Sequence, residues 1–395
     1  MLVTDGNQRS TLAVVRSLGK AGVAVTVAES TRTSLAGSSR YCAKRLCYPP
    51  PDRNAADFLA CLRQELRMAK YELLLPMTDV SVQLLAAARD TFSPLVGLPF
   101  PSKDRVARVQ DKREMLRLAR TIGIAYPNTY MLSEDEQLEE VAAKMTYPAV
   151  LKPRFSRFLK DGKLMAGTVL YASDRSSLLA EYRRLHALIP FPMVQERIEG
   201  EGQGIFLLMW NGELRAAFAH RRLREKPPWG GVSVLSESIA LNRDLVEQSV
   251  ALLNAAGWQG VAMVEFKVDR RDGRPKLMEV NGRFWGSLQL AIDAGIDFPL
   301  MLYRLALGEK VPSMFEYKIG IKSRWLLGDL DHLLIRLRRS GPPGVSMAGQ
   351  KSKWRAVLDF VKLCERDTRY EVQRLDDLSP AWFEIRKYIG EILWE

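Results

Sequence analysis

The stretch Val261-Ala262-Met263-Val264-Glu265-Phe266-Lys267-Val268-Asp269, followed after a short connection by Lys276-Leu277-Met278-Glu279-Val280-Asn281-Gly282-Arg283, decides how this chain is read. Side chains alternate faces along a strand, so Glu265, Lys267 and Asp269 share one face and Val264, Phe266 and Val268 the other. Glu279 and Asn281 share a face in the second strand, with Met278 and Val280 opposite. The connection holds Asp272-Gly273, a hairpin signal. A strict two-residue turn there would pair 265 with 280 and separate the two glutamates. A three-residue loop, Arg271-Asp272-Gly273 with Gly273 left-handed, sets Glu265 opposite Glu279. Two carboxylates and an amide oxygen on one face form a hard-oxygen site suited to a divalent cation bridging phosphates.

Upstream, residues 1–4, 23–28 and 73–77 read as strands, and 8–20, 55–69 and 80–90 as helices. That alternation predicts a parallel, Rossmann-like sheet. The first turn, Thr4-Asp5-Gly6-Asn7-Gln8-Arg9, lacks the GxGxxG that a dinucleotide pyrophosphate needs, which disfavours a nicotinamide enzyme. Leu98-Pro99-Phe100-Pro101-Ser102 reads as a junction, followed by one helix from Lys103 to about 121 that Gly123 closes. Strands are expected at 147–152, 194–197, 205–210 and 213–220, the last two around the Asn211-Gly212 turn. From about 311 onward the pattern is helical, with a break at Gly341-Pro342-Pro343-Gly344.

The order Glu265, then Glu279-Val280-Asn281-Gly282-Arg283, resembles the metal-binding end of the ATP-grasp superfamily, close to the carboxylate–amine ligases of the carbamoyl phosphate synthase branch. Asp111-Lys112, Val150-Leu151-Lys152-Pro153 and Val194-Gln195-Glu196-Arg197-Ile198 stand in the matching order upstream. The resemblance covers roughly residues 1–310 and implies an α/β chain in four parts. These are a Rossmann-like pre-ATP-grasp domain (1–101), two α+β ATP-grasp subdomains (102–192 and 193–310) and a mostly helical C-terminal segment (311–395).

It further implies that Lys112 and Lys152 bind ATP phosphates, that Gln195, Glu196, Arg197 and Ile198 form the adenine hinge, and that Glu201 or a neighbour holds ribose. Glu265, Glu279 and Asn281 would bind Mg²⁺ (or Mn²⁺), and Arg283 would stabilise the transferring phosphoryl group. The implied activity is an ATP-dependent carboxylate–amine ligase that makes an acyl phosphate and releases ADP and phosphate. The alternative is a non-catalytic, ATP-binding regulatory protein with the same fold. The segment Arg154-Phe155-Ser156-Arg157-Phe158-Leu159-Lys160-Asp161-Gly162-Lys163 departs from the family's glycine-rich phosphate lid, having one glycine among its residues. In His220-Arg221-Arg222, the guanidinium forks of Arg221 and Arg222 are candidate ligands for a substrate carboxylate or phosphate. His220 reads as structural.

Composition sets the remaining bounds. The chain has 395 residues, 47% hydrophobic and 26% charged, as ordinary globular proteins do. No run approaches the roughly 18 apolar residues of a membrane helix, and the N-terminus enters a strand without a leader-like pattern. The four cysteines (Cys42, Cys47, Cys61, Cys364) have no metal or disulfide spacing, so a reducing cytoplasm is expected.

A net charge of +12, with many of the cations spread along helices, reads first as solvated basic faces and second as a site for an anionic partner (an acidic substrate, nucleic acid or anionic lipid), and residues 318–355 carry nine Lys or Arg against two Asp. Aromatics do not interleave with the cations as a nucleic-acid platform requires, so none is expected. The expected partners are small carboxylate and amine substrates, with a homodimer as the assembly considered. Leu326, Leu327, Leu330, Leu333, Leu334 and Leu337 repeat at helical spacing near Arg336, Arg338 and Arg339, and that stripe is expected to face the core rather than a membrane.

Overall fold

A computed structural model describes residues 1–134, 137–160, 163–338, 341–342, 345, 352–363 and 365–394. Asp161, Gly162, Arg339, Pro343, Gly344 and Cys364 therefore lie outside the described residues.

The first hundred residues run β1 (Leu2–Val3), α1 (Arg9–Lys20), β2 (Val25–Glu29), β3 (Cys42–Cys47), α2 (Ala55–Met68), β4 (Leu74–Leu75), α3 (Asp79–Ala87) and α4 (Arg89–Phe92). The strands form a parallel sheet in the order β3-β2-β1-β4, as strand–helix alternation predicts. Strand β3 is not among the expected strands. Its sequence, Cys-Ala-Lys-Arg-Leu-Cys, lies on the sheet edge with most side chains exposed, so no apolar run announces it.

The helix expected from 103 to 121 is broken in two, α5 (Lys103–Gln110) and α6 (Lys112–Ile122). Asp111 causes the break. Its ψ of 104° leaves the helical region, and its carboxylate caps α6 by accepting from the backbone N–H of Arg113 (3.0 Å) and Glu114 (3.5 Å). Gly123 ends α6 in the left-handed conformation, φ 83°. Next come β5 (Thr129–Tyr130), α7 (Gln137–Lys144), β6 (Ala149–Lys152), the hairpin β7 (Arg157–Lys160) and β8 (Lys163–Ala166), β9 (Leu170–Ala172), α8 (Arg175–His186) and β10 (Met193–Glu196). An antiparallel sheet β5-β10-β6-β9 forms here, backed by α7 and α8 around its own apolar cluster.

The large sheet follows: β11 (Gly200–Trp210), β12 (Glu213–Lys226), β13 (Val232–Ser238), α9 (Arg243–Ala255), β14 (Gly260–Asp269), β15 (Pro275–Asn281), α10 (Leu288–Ala294) and α11 (Phe298–Ala306). Both faces of β11 are covered. Ile205, Leu207 and Met209 enter one apolar cluster and Phe206 and Leu208 another, which explains the unbroken apolar run Ile205–Met209. Both clusters also contain N-terminal side chains, such as Val3 and Leu12 in one and Phe58 and Leu62 in the other.

Beyond 311 lie β16 (Lys322–Arg324), α12 (Leu326–Arg338), α13 (Lys353–Val361), β17 (Thr368–Tyr370) and α14 (Ser379–Trp394). The segment is mostly helical, as expected, but β16 and β17 extend the large sheet to the order β15-β14-β11-β12-β13-β16-β17. Lys-Ser-Arg and Thr-Arg-Tyr are too short and polar to signal strands. The leucine stripe lies on α12, with Leu333 buried and the other leucines half-buried.

The C-terminal segment also clasps α1. Arg16, 3% exposed, donates from Nε to Asp377 Oδ2 at 2.8 Å and from its terminal nitrogens to the carbonyls of Glu371, Val372 and Asp377. Asp377 also accepts from Ser39 Oγ and Arg40 N–H. Removing one member of a buried pair leaves the other charge uncompensated. We expect Asp377→Ala to lower unfolding free energy in urea by about 3–5 kcal/mol, and a loss below about 1 kcal/mol would show that the clasp does not hold the N-terminal sheet in place.

Candidate functional site

The hairpin β14–β15 brings Glu265 opposite Glu279, with Val264 opposite Val280 and Met263 opposite Asn281. The loop differs from the three-residue turn expected. Arg270–Gly273 form a four-residue loop closed by Gly273 N–H to Asp269 O (2.8 Å) and Asp269 N–H to Arg274 O (2.9 Å), with Gly273 at φ 69°. That loop sets Phe266 opposite Leu277, a register that by itself would separate the two glutamates. A β-bulge at Met278 adds one residue and restores the pairing. Asp269, on the same face as Glu265 by uninterrupted alternation along β14, fixes the loop. It is 2.6 Å from Arg271 and 2.8 Å from Lys276, and Arg271 reaches on to Glu196 at 2.9 Å. These cations hold the Asp269 carboxyl well below the usual carboxylate range.

A cavity of about 840 Å³ opens in front of this hairpin. It is lined by Lys112, Lys152, Gln195, Glu196, Arg197, Ile198, Arg222, Glu265, Glu279, Asn281 and Arg283, so most of the residues singled out in the sequence meet there. Two do not line it. Glu201 and Arg221 face each other at 3.5 Å, and Arg221 is bound to Glu237 at 2.6 Å. Alternation along β11 and β12 puts them on the other face of the sheet from Gly202, Gly204, His220 and Arg222. The expected ribose role of Glu201 and substrate role of Arg221 are therefore corrected by the strand geometry.

Lys152 is half-buried beside Gln195, whose Oε1 accepts from Nζ at 2.9 Å. Burial lowers the Lys152 pKa to about 8 against the pull of Glu279, and Lys112 adds repulsion. Lys112 is positioned by the break at Asp111. Its backbone N–H donates to Arg154 O, and its Nζ lies 2.7 Å from Ser156 Oγ at the start of the β7–β8 hairpin. The described residues of the glycine-poor stretch thus supply β7 and the start of its partner β8, and Ser156 and Arg157 reach the cavity.

Burial pushes the Glu265 carboxyl up, although Arg222 opposes it. For Glu279 burial acts the same way but is outweighed by Lys112, Asn281 and Lys152, leaving it below the ordinary range. Asn281 is oriented from both ends, donating to Glu279 Oε1 (3.0 Å) and accepting from Arg283 (3.3 Å). The Arg283 Nε lies 3.0 Å from Asp79 Oδ1 at the first turn of α3, which ties the hairpin to the N-terminal sheet. Glu196 gives its carboxylate to Asn128 N–H, Arg271 and Lys276, so its side chain is committed to the hinge.

Arg222, nearly buried, reaches Glu265 (2.5 Å) and Glu225 (3.1 Å). It passes over Gly202, where a Cβ would lie 3.1 Å from Arg222 Cδ. His220 is buried, and burial together with Arg222 lowers its pKa well below 6.5. Its Nδ1 is 3.4 Å from Ser287 Oγ.

The N-terminal wall of the cavity, formed by Asp5, Asn7, Glu29, Tyr48 and Asp79, is missing from the residues that sequence reasoning singles out. Asp5 sits at φ 58° and accepts from Met77 N–H, Thr78 N–H and Ser81 Oγ, joining the loops after β1 and β4. The available signal is a buried-strand end followed by Asp-Gly, which draws notice only for the dinucleotide motif it lacks. Lys267, also on the wall, is legible from its shared face with Glu265.

Residues 189–328 match the family described as ATP-grasp in the biosynthetic pathway with Ter operon. No curated protein matches. Among solved structures, the chain resembles an L-amino acid ligase from Bacillus licheniformis at 18% identity and TM-score 0.60, covering 78% of this chain and 73% of that one. It resembles N5-carboxyaminoimidazole synthetase from Staphylococcus aureus at 12% identity and TM-score 0.65, covering 85% and 84%. A biotin carboxylase from Campylobacter jejuni matches at 15% identity and TM-score 0.64, covering 81% and 74%.

Proposed function

The chain has the ATP-grasp fold, and from that premise we propose that it is an ATP-dependent carboxylate–amine ligase working through an acyl phosphate. The observation that carries the reading is the convergence of Lys112, Lys152, Glu265, Glu279, Asn281 and Arg283 on one cavity. The fold alone hosts several chemistries, and it is this site that favours ligation.

The residues fit Mg²⁺ (or Mn²⁺) delivered with a nucleotide. Among the described residues no group of three or more His, Cys, Asp or Glu is arranged to hold a metal. Two carboxylates and an amide oxygen make a partial hard-oxygen shell, which phosphate oxygens and water complete in Mg²⁺ sites. Glu265, Glu279 and Asn281 would hold the ion, which supplies charge neutralisation at the phosphates. The backbone of Gln195–Ile198 would receive adenine, and Lys112 and Lys152 the phosphates.

A substrate carboxylate oxygen then bonds to the γ-phosphorus as the bond to the ADP oxygen breaks. Arg283 stabilises the charge on the transferring group, held in place by Asp79 and Asn281. An amine nitrogen next bonds to the acyl carbon, phosphate leaves, and the amine gives up a proton. Arg222 is a candidate ligand for an anionic group of the substrate, since it lies in the cavity beside Glu265. Incubation with ATP, pooled carboxylic acids and amines should release ADP and phosphate. Clean AMP and pyrophosphate would overturn the reading, and stoichiometric ATP binding without turnover across the pool would favour the regulatory alternative.

Lys152 gives this proposal a pH signature. Below about pH 8 it is a cation in the free protein. Bound phosphates favour that charged form, so above pH 8 binding must be accompanied by proton uptake. ATP affinity measured by calorimetry should be flat below pH 8. It should then weaken by up to about tenfold per pH unit as pH rises above 8. Lys152→Met should bind weakly and lose the dependence, and an unchanged dependence in that variant would remove Lys152 from the phosphate site.

A further inference from the structure

Helix α13 presents an apolar stripe to solvent. Trp354, Leu358 and Val361, spaced by four and three residues, are 81%, 59% and 57% exposed. The helix is held from behind. Ala356 is buried, Phe360 lies under the Arg324 guanidinium at 4.8 Å, and the carbonyls of Phe360 and Lys362 accept from Arg324 at 2.7 and 3.3 Å. Arg324 is itself buried and paired with Asp329 at 2.7 Å. A buried charge network thus fixes a helix whose outward face is apolar, whereas on α12 Leu333 is buried and the other leucines are half-buried. Lys353, Arg355 and Lys362 flank the outward stripe. The next helix, α14, also exposes a tryptophan, Trp382 at 60%.

We propose that the outward face of α13 docks on an anionic lipid surface, with the helix lying in the headgroup region. Tryptophan suits the boundary between apolar and wet layers, and lysine and arginine beside an apolar stripe are the pattern of interfacial helices. The charge of the face selects this occupant. A second copy in a two-fold dimer would bring Lys353, Arg355 and Lys362 against the same residues of its mate. A nucleic acid would take the cations but leave the apolar stripe uncovered.

The test uses the whole protein with vesicles of phosphatidylcholine alone and of an equimolar mixture with phosphatidylglycerol. Co-sedimentation is expected with the mixed vesicles and should weaken with salt. Each basic side chain near such a surface is worth roughly fivefold, so K353Q/R355Q/K362Q should lower partitioning by about a hundredfold. W354A/L358A should lower it by more than about tenfold. Both variants should keep the parent melting temperature. Equal binding to both vesicle types, or binding unaffected by both variants, would overturn the proposal. So would a soluble dimer that W354A/L358A dissociates, which would assign the face to a second copy.

Discussion

Glu279→Gln is expected to reduce ADP release by on the order of a thousandfold while leaving the fold intact. The substitution keeps the shape of the side chain and the oxygen that accepts from Asn281. It removes the charge that Lys112 and Lys152 compensate and that the bound cation would need. It also removes a like charge facing Glu265 across the hairpin, so the melting temperature should change little. Calorimetric titration with Mn²⁺ and a non-hydrolysable ATP analogue separates the two roles of the residue. Metal-dependent binding should be lost, while metal-free nucleotide binding through Lys112 and Lys152 persists. Normal turnover in this variant would take Glu279 out of the metal site.

Arg283→Lys should show a different signature. The guanidinium pairs with Asp79, its Nε 3.0 Å from the carboxylate, and donates to the Phe284 carbonyl through one terminal nitrogen and to Asn281 through the other. A lysine keeps the charge but cannot occupy three directions at once. If Arg283 acts on the transferring phosphoryl group, kcat should fall by about a hundred- to a thousandfold with ATP affinity within about threefold of the parent. A loss of ATP affinity matching the loss of turnover would instead make Arg283 a ground-state ligand, or a residue that merely aligns Asn281.

Much of this site is legible in the sequence because strand alternation is a strict rule. Alternation and the turn signal together place Glu265 and Glu279 on one face, and the lysines at 112 and 152 stand in the matching order upstream. The expected register holds for a reason the sequence conceals. The loop is one residue longer than expected, and the bulge at Met278 compensates for it. Bulges depend on tertiary contacts and leave no composition signal.

Other features are hidden for related reasons. Glu201 and Arg221 look like ligands by motif, but each sits one residue off the cavity-facing positions of its strand. Strands β16 and β17 are three residues each, and Arg324, a residue type that usually marks surface, is 1% exposed. The N-terminal wall around Asp5 and Asp79 comes together only when loops distant in sequence meet.

A crystal structure with Mn²⁺ and a non-hydrolysable ATP analogue, using the anomalous signal of the metal, tests the two-glutamate metal site. Metal peaks are expected within bonding distance, about 2.0–2.3 Å, of oxygens of Glu265 and Glu279, with the nucleotide phosphates reaching Lys112 and Lys152. Nucleotide bound elsewhere, or phosphates in this cavity with no metal between the two glutamates, would contradict that assignment.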